Sequence, residues 1–330
     1  MSDSFKALIA TAVDERNYEV VFKEITEADL PDLPVLVEVD YSTINYKDAL
    51  AVTKKGRIIH RFPMICGIDI AGKVISSDDG RWQSGEKVIV NGYGLSETEQ
   101  GAYTKRQRLS AEWLTRMPDG LTSRQAMAVG TAGYTAMLCV LALEDHNVTP
   151  DDGEILVTGA TGGVGSVAVM ILSRLGYRVV ALTGREEHSN FLKSLGAAEV
   201  INRDELDRDA KPMEKERWAG VVDAVGGKIL TTAIAQTKGY GTVTACGLAG
   251  GISLNTTVMP FILRGVNLIG INSVMETPGN RDRAWRRVLS DVDFDLLEGS
   301  LTDIEFADLP AACLDLLDGK TKGRIVVKID

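Results

Sequence analysis

The chain is poor in residues that bind metals or form disulfides. Its 330 residues include only three histidines and four cysteines. The cysteines lie far apart and show no Cys-x-x-Cys spacing, which disfavours a zinc knuckle and a disulfide scaffold. We therefore expect free, buried thiols at Cys66, Cys139, Cys246 and Cys313.

Positive charge and long apolar runs are also scarce. The 36 Lys and Arg residues are outnumbered by 46 Asp and Glu residues, which gives a formal net charge of −10. This balance disfavours a general nucleic-acid or anionic-membrane surface. No apolar run approaches the ~20 residues that cross a bilayer. The first ten residues, MSDSFKALIA, lack the basic flank and apolar stretch of a signal peptide. We expect no nucleic-acid partner, no membrane and a cytoplasmic location.

The length predicts two domains, and the sequence changes character near residue 125. Before this point, PVLVEVDYSTI (34–44) alternates apolar and polar residues, and GKVISS and GEKVIVNGYG repeat the pattern. Such period-two alternation predicts a β-rich domain over 1–124. A helix is expected over 123–148, with Ser123 as its N-cap. The tail, 275–330, is expected to complete the first domain with one or two helices and a final strand.

Strands and helices alternate from there on. Alternation of this kind indicates parallel strands joined by crossover helices. The fold class is therefore α/β, with a Rossmann doubly wound parallel sheet over 125–274. The predicted strands are 154–160, 177–184, 198–202, 220–227, 241–247 and 266–274, and helices are predicted over 163–176 and 188–196.

The stretch VTGATGGVGS (157–166) carries a glycine-rich motif between a predicted strand and a predicted helix. Ala160, Gly162 and Gly165 occupy the three positions of a GxGxxG fingerprint, with alanine in place of the first glycine. Helix-opening N–H groups at such a loop favour phosphate oxygens. A tight turn without a ligand is the alternative. The candidate phosphate-binding residues are Thr161, Gly162, Gly163, Val164 and Gly165.

The second strand of this domain ends at Thr183, Gly184 and Arg185, where NAD enzymes commonly place an acid on the ribose. An acid would repel a 2′-phosphate, whereas threonine can donate a hydrogen bond and arginine a charge-assisted pair. We therefore predict NADP(H) as cofactor. Arg203, after the third strand, could add to the same pocket. For Arg185 the alternative is a solvated arginine in a surface loop beside Glu186 and Glu187.

Together these features resemble the medium-chain dehydrogenase/reductase superfamily. The stretches NYKDAL, FPMICGIDIAGKV, GTAGYTAM and VVDAVGG occur in that family's order. The resemblance implies a β-rich, GroES-like catalytic domain. Asn45 stands where the zinc branch has a cysteine, and Gly67-Ile68-Asp69 replaces its Gly-His-Glu. We therefore expect no metal and a member of the zinc-free, quinone oxidoreductase-like branch. Stretches such as TTVMPFILRGVNLIGINSV resemble its acrylyl-CoA reductase group.

The resemblance implies NADPH-dependent reduction of acryloyl-CoA to propanoyl-CoA. Tyr46 could contact the cofactor and supply or relay a proton. Asn45 could donate to the substrate carbonyl or the cofactor, and Asp48 could orient both residues. Further cofactor contacts are expected at Leu248, Ile262, Ser273 and Arg324, the last returning from the tail.

Two other functions fit the same sequence. An NADPH:quinone oxidoreductase would share the zinc-free site and differ in its acceptor pocket. A crystallin-like structural protein would bind NADPH without catalysis. We also expect a homodimer, because an open sheet edge at 266–274 could be covered by a second subunit.

Overall fold

The structure is a computed structural model and describes residues 4–14 and 17–330. The chain divides into two compact units. A β-rich unit comprises Met1–Thr131, Ser273–Arg286 and Ser300–Asp330, and an α/β unit comprises Ala132–Asn272 and Arg287–Gly299.

The strands of the described residues number sixteen. They are β1 (Phe5–Ala12), β2 (Tyr18–Ile25), β3 (Val35–Ile44), β4 (Met64–Ile65), β5 (Asp69–Ser77), β6 (Lys87–Asn91), β7 (Arg106–Leu109), β8 (Thr115–Arg116), β9 (Glu154–Val157), β10 (Arg178–Thr183), β11 (Glu199–Asn202), β12 (Trp218–Asp223), β13 (Thr237–Ala245), β14 (Asn267–Gly270), β15 (Leu301–Glu305) and β16 (Arg324–Lys328).

The α-helices of the same residues number nine. They are α1 (Tyr46–Val52), α2 (Ser123–Asp145), α3 (Gly163–Arg174), α4 (Ser189–Ser194), α5 (Gly227–Gln236), α6 (Met259–Arg264), α7 (Pro278–Asp291), α8 (Phe294–Glu298) and α9 (Leu309–Leu317).

The β-rich unit contains two sheets. The smaller has the order β2-β1-β4, and the larger has the order β15-β16-β3-β5-β6-β8, with β7 also paired to β3. The last strand of the tail joins the larger sheet, since β16 pairs antiparallel with β3. Phe306, Leu309 and Ile325 from the tail lie in the same core cluster as Val37 and Ile70. Burying each such side chain stabilises the fold by about 2 kcal/mol.

The α/β unit has one six-stranded sheet in the order β11-β10-β9-β12-β13-β14. All five pairings are parallel. This is the predicted doubly wound order, in which the chain reverses direction across the sheet after β11. Its strands are apolar because helices cover both faces, and Leu156, Val180 and Val221 form part of the core.

Several details differ from the sequence analysis, among them that β12 covers Trp218–Asp223 rather than 220–227. Gln125 Oε1 accepts from the backbone N–H of Thr122 at 3.0 Å, so Thr122 is the N-cap of α2, and Ser123 Oγ instead donates to Asp40. The sixth strand of the α/β sheet ends at Gly270, four residues earlier than predicted. The tail contains three helices rather than one or two, and its segment Arg287–Gly299 belongs to the α/β unit. The first unit extends to Thr131 rather than 124.

Helix α2 corrects the expectation about apolar runs. Among the described residues it is the one helix long and apolar enough to cross a membrane, with 23 residues and a mean hydropathy of 1.8 over its best 18-residue window. That window is 89% buried, which is typical of a core helix. Gly130 interrupts the helical backbone at φ 53°, ψ −164°.

Candidate active site

The glycine-rich loop connects β9 to α3, and Gly162 is the N-cap of that helix. Gly165 must remain glycine, because a Cβ there would lie 2.4 Å from the carbonyl oxygen of Gly159. The close approach packs the first turn of α3 against the end of β9. Thr161 and Gly162 therefore lie beside the N–H groups that open the helix, as do Gly163 and Val164 in its first turn. This cradle is shaped for a phosphate.

The end of β10 brings Arg185 to this loop. Its Nη2 donates to Thr161 Oγ1 at 2.7 Å, and its backbone N–H donates to Thr183 Oγ1 at 3.1 Å. Arg203 packs against Gly184, since a Cβ at 184 would lie 2.3 Å from Arg203 Cδ. Arg185 thus lies beside the N-terminus of α3, whereas the guanidinium of Arg203 donates to Asp207 at 3.0 Å. Glu186, the acid next to Arg185, accepts a hydrogen bond at Oε1 from Asn202 Nδ2 at 2.7 Å.

Two other predicted cofactor contacts lie on the surface of the α/β unit. Leu248 is 64% exposed in the loop after β13, and Ile262 is 70% exposed on α6. Because it is exposed, Ile262 does not lie in the hydrophobic core. Asp223, which the sequence analysis did not single out, ends β12 and accepts from Thr158 and from the N–H of Gly226. Burial raises the pKa of Asp223.

The predicted catalytic residues begin helix α1 in the β-rich unit. Asn45 is the N-cap, and Asp48 Oδ2 accepts from its backbone N–H at 2.8 Å, as in a capping box. Asn45 Nδ2 donates to Asp48 at 3.0 Å and to Asp69 at 2.6 Å. An amide nitrogen carries two protons, and both are used here. Donation from Asn45 to a substrate carbonyl or to the cofactor would require one of these two hydrogen bonds to break, and it stays a prediction.

Asp69 is the centre of a buried polar network. Its carboxylate accepts from Asn45, from Asn91, and from both the backbone N–H and the hydroxyl of Thr131, the hydroxyl at 2.6 Å. Asp69 and Asn91 are 0% and 1% exposed. These hydrogen bonds join the start of α1, the end of β6 and α2 at one carboxyl group. The network fixes the backbone that presents Tyr46.

Asp48 is also buried, but it accepts fewer hydrogen bonds than Asp69. It is 1% exposed, and its Oδ1 makes no hydrogen bond to another described residue. Burial, reinforced by the charge of Asp69, raises the pKa of Asp48 to about 7 from its ordinary 3.8. Burial also raises the pKa of the neighbouring Cys66 thiol to about 12. Asp48 is therefore a neutral acid through most of the acidic range.

Tyr46 is the accessible member of the predicted catalytic group, with 54% of its surface exposed at the first position of α1. Its neighbour Lys47 donates to Glu97 at 2.6 Å. Tyr46 is therefore accessible to a ligand, whereas Asn45 and Asp48 hold the first turn of the helix that carries it.

Arg324 departs from the sequence analysis. Its guanidinium is 3% exposed and donates to the carbonyl oxygen of Ala128 at 3.1 Å and to Thr43 Oγ1 at 2.8 Å. A side chain held in this way cannot extend to a cofactor, so the predicted contact is corrected. Arg324 instead places a positive charge beside the buried carboxyls of Asp48 and Asp69.

Ser273 lies half-buried in the β-rich unit, and its carbonyl oxygen accepts from Arg281 Nη2 at 3.0 Å. Arg281 is 1% exposed and donates also to Asn91 and Val274. Its guanidinium carbon lies 4.0 Å from the ring centroid of Tyr93. Arg281 thus holds the segment around Ser273 against β6.

The described residues contain no group of three or more His, Cys, Asp or Glu side chains that could hold a metal ion. Asn45 and Asp69, which the sequence analysis compared with residues of the zinc branch, bind each other: Asn45 Nδ2 donates to Asp69 at 2.6 Å.

Sequence reasoning missed the partners of this network. Asp69 was visible within Gly-Ile-Asp, and Asn91 ends an alternating strand, which is a usual place for functional polar residues. Thr131 gave no such signal, because it lies within a run of small residues of the predicted helix.

The titration of Asp48 predicts how stability depends on pH. Between about pH 4 and 7 the unfolded chain has released this proton while the folded chain keeps it, so raising the pH lowers the free energy of unfolding, by about 1 kcal/mol per pH unit at the steepest. The variant Asp48→Asn, which cannot titrate, should flatten this slope in urea denaturation measured from pH 4 to 8. Asp119→Asn removes an exposed carboxyl and should keep the wild-type slope. Equal slopes in wild type and Asp48→Asn would contradict the assignment.

Comparison with known proteins identifies the family. The alcohol dehydrogenase GroES-like domain family matches residues 31–144, and the zinc-binding dehydrogenase family matches residues 163–290. Acrylyl-CoA reductase AcuI of Ruegeria pomeroyi is 48% identical over 99% of each chain. The YhdH oxidoreductase of Salmonella enterica, solved with NADP, is 47% identical, with a TM-score of 0.96 over 98% of this chain and 100% of that one.

Bacillus subtilis YhfP, solved with NAD, is 42% identical, with a TM-score of 0.96 over 99% of this chain and 100% of that one. These likenesses extend over both units. The chain belongs to the medium-chain dehydrogenase/reductase superfamily, in the acrylyl-CoA reductase group of its quinone oxidoreductase-like branch.

Proposed function

We propose that the protein reduces the C=C bond of acryloyl-CoA to give propanoyl-CoA, with NADPH as the reductant. The observation that carries the proposal is the 48% identity to an acrylyl-CoA reductase over almost the whole of both chains. The α/β unit supplies a matching cofactor site. Gly162 and Gly165 are the proposed phosphate cradle, and the hydrogen bond from Arg185 to Thr161 supports Arg185 as the cation for the 2′-phosphate, with Arg203 as the second proposed cation.

NADPH, when bound, supplies the hydride that the β-carbon of the thioester accepts. The α-carbon then takes a proton, so the double bond is reduced as NADPH becomes NADP⁺. The tyrosine hydroxyl of Tyr46, exposed at the start of α1, is the group proposed to supply or relay this proton. Asn45 and Asp48 hold the α1 turn in place through their hydrogen bonds, so that Tyr46 meets its ligand with little reorganisation.

The substrate is tested by steady-state assays with acryloyl-CoA and with a benzoquinone, each with NADPH and NADH. We expect turnover of acryloyl-CoA with NADPH, and 4-deuterated NADPH should deliver its label to the β-carbon only. Turnover of the quinone alone would favour the second candidate, an NADPH:quinone oxidoreductase. That candidate is favoured by the 42% identity to YhfP, whose name suggests a quinone oxidoreductase.

Cofactor choice is tested at Arg185. The variant Arg185→Ala should weaken NADPH binding about tenfold, because it removes a charge-assisted contact to the 2′-phosphate, and should change NADH binding little. Calorimetry measures both affinities. Arg178→Ala is a matched control, since Arg178 begins the same strand that leads to Arg185 and pairs with Glu154 at 3.1 Å. Equal losses for NADPH and NADH would contradict a 2′-phosphate contact.

We further propose a homodimer formed along β14, the outermost strand of the six-stranded sheet. The N–H of Ile271 donates to Ala245 on β13, so by alternation the N–H of Gly270 points away from the sheet. Exposed apolar side chains lie nearby in sequence at Leu248, Ile252, Val258 and Leu263. An unpaired edge beside apolar surface favours association. The cytoplasmic location stays a prediction.

Light scattering should therefore give twice the 35.6 kDa mass of one chain. Gly270→Pro removes the outward N–H and should shift the equilibrium toward monomer. Gly270→Ala adds a Cβ with no heavy atom within 4 Å and should leave the dimer intact. A monomeric wild-type protein, or a Gly270→Pro variant that dimerises as tightly, would refute the proposed interface.

A further inference from the structure

The loop that follows α1 is unusually basic for an acidic protein. Residues 53–61 read TKKGRIIHR, whereas the whole chain carries a formal charge of −10. We call the side chains of Lys54, Lys55, Arg57 and Arg61 the basic loop. We propose that the basic loop binds the 3′-phosphoadenosine diphosphate group of the acyl-CoA substrate. This inference rests on the proposed function and assigns the part of the site that holds the non-reacting end of the substrate.

The cations of the basic loop are only partly neutralised. Arg61 pairs with Glu99 at 3.1 Å, and Lys55 lies 3.8 Å from Asp318, which also pairs with Lys320. Lys54 and Arg57 are exposed, and their side chains make no ion pair or hydrogen bond to another described residue. Two free cations therefore face solvent, where a phosphate could replace their water.

The basic loop adjoins the residue that presents the reactive chemistry. The N–H of His60 donates to the carbonyl oxygen of Glu97 at 2.9 Å, and the carboxylate of Glu97 accepts from Lys47, the neighbour of Tyr46, at 2.6 Å. Glu97 thus ties the end of the loop to the first turn of α1. The loop leaves from the other end of the same helix, at Lys54.

The dimensions agree with a CoA arm. Lys54 follows Tyr46 by eight residues along and just beyond helix α1, which places it about 12 Å from Tyr46 along the helix axis. The pantetheine arm between a thioester and the diphosphate has about twelve bonds, which span roughly 14 Å at about 3.5 Å per three bonds. A thioester beside Tyr46 would thus bring its phosphates to the basic loop. Those phosphates carry about three to four negative charges.

The backbone conformation at Lys54 makes glycine a suitable replacement for this residue. Lys54 follows the C-cap of α1 with φ +63°, a left-handed position that helices usually give to glycine. Glycine there would relieve strain and remove the charge together. The variant Lys54→Gly can therefore lower CoA affinity without destabilising the fold.

A second basic cluster, on α7, is less suited to phosphates. Arg281 is buried and committed to backbone carbonyls, and Arg287 pairs with Glu144 at 2.7 Å. Arg286 is exposed and makes no contact to another described side chain. Arg286 is therefore the comparison position in the test of phosphate binding.

The test compares Lys54→Gly/Arg57→Ala with wild type, with Arg286→Ala and with Lys6→Ala, an exposed lysine on β1. The probe is adenosine 3′,5′-bisphosphate, titrated by calorimetry into enzyme saturated with NADPH so that the cofactor site is filled. We expect the double variant to bind it about tenfold more weakly and with a flatter salt dependence, because two charge-assisted contacts are lost. Its melting temperature should not fall.

Kinetics separate this proposal from the proposed function. Wild type should prefer acryloyl-CoA to S-acryloyl-pantetheine in kcat/KM, and the double variant should lose most of that preference. Equal kcat/KM for the two substrates in wild type, or loss caused by Arg286→Ala instead, would overturn the basic loop while leaving acryloyl reduction intact. Binding of the bisphosphate to the loop without any acryloyl turnover would overturn the proposed function alone.

Discussion

The carboxylate of Asp69 is the constraint on which the β-rich unit depends. A buried charge must be compensated, and Asn45, Asn91 and Thr131 all donate to this one group. These donors come from the start of α1, the end of β6 and α2, so a single anion joins three elements that are distant in sequence. The buried guanidinium of Arg324 adds the opposite charge from the last strand. Burial, reinforced by the charge of Asp69, raises the pKa of the neighbouring Asp48 to about 7.

Strong periodicity explains which parts of the fold could be predicted. The strands of the α/β unit are apolar runs between glycine-rich turns, so their number and order follow from the sequence. The ends of elements depend on local contacts that a pattern does not contain. Thr122 caps α2 because Gln125 lies three residues later, and β14 ends early because only Asn267–Gly270 follow the register of β13. The unpredicted tail helix α8 is only five residues long, too short for a periodic signal.

The candidate site likewise has one part that could be predicted from the sequence and one part that could not. The phosphate loop and Arg185 could be found because each depends on residues close in sequence, and the structure brings Arg185 to Thr161. The polar network around Asp69 depends on partners separated by 22 to 62 residues, and no local rule pairs Asn45 with Asp69 or Asp69 with Thr131. Arg324 shows the limit most clearly. Its basic character suggested a ligand contact, but its neighbours make it an internal support.

The packing of Arg203 on Gly184 has an evolutionary consequence. Enzymes that prefer NAD commonly carry an acid near the tip of this strand, yet any side chain at 184 would meet the stem of Arg203. An acidic replacement at 184 would therefore require the side chain of Arg203 to move or to be replaced. The proposed preference for NADP(H) is in this way coupled to the packing between residues 184 and 203.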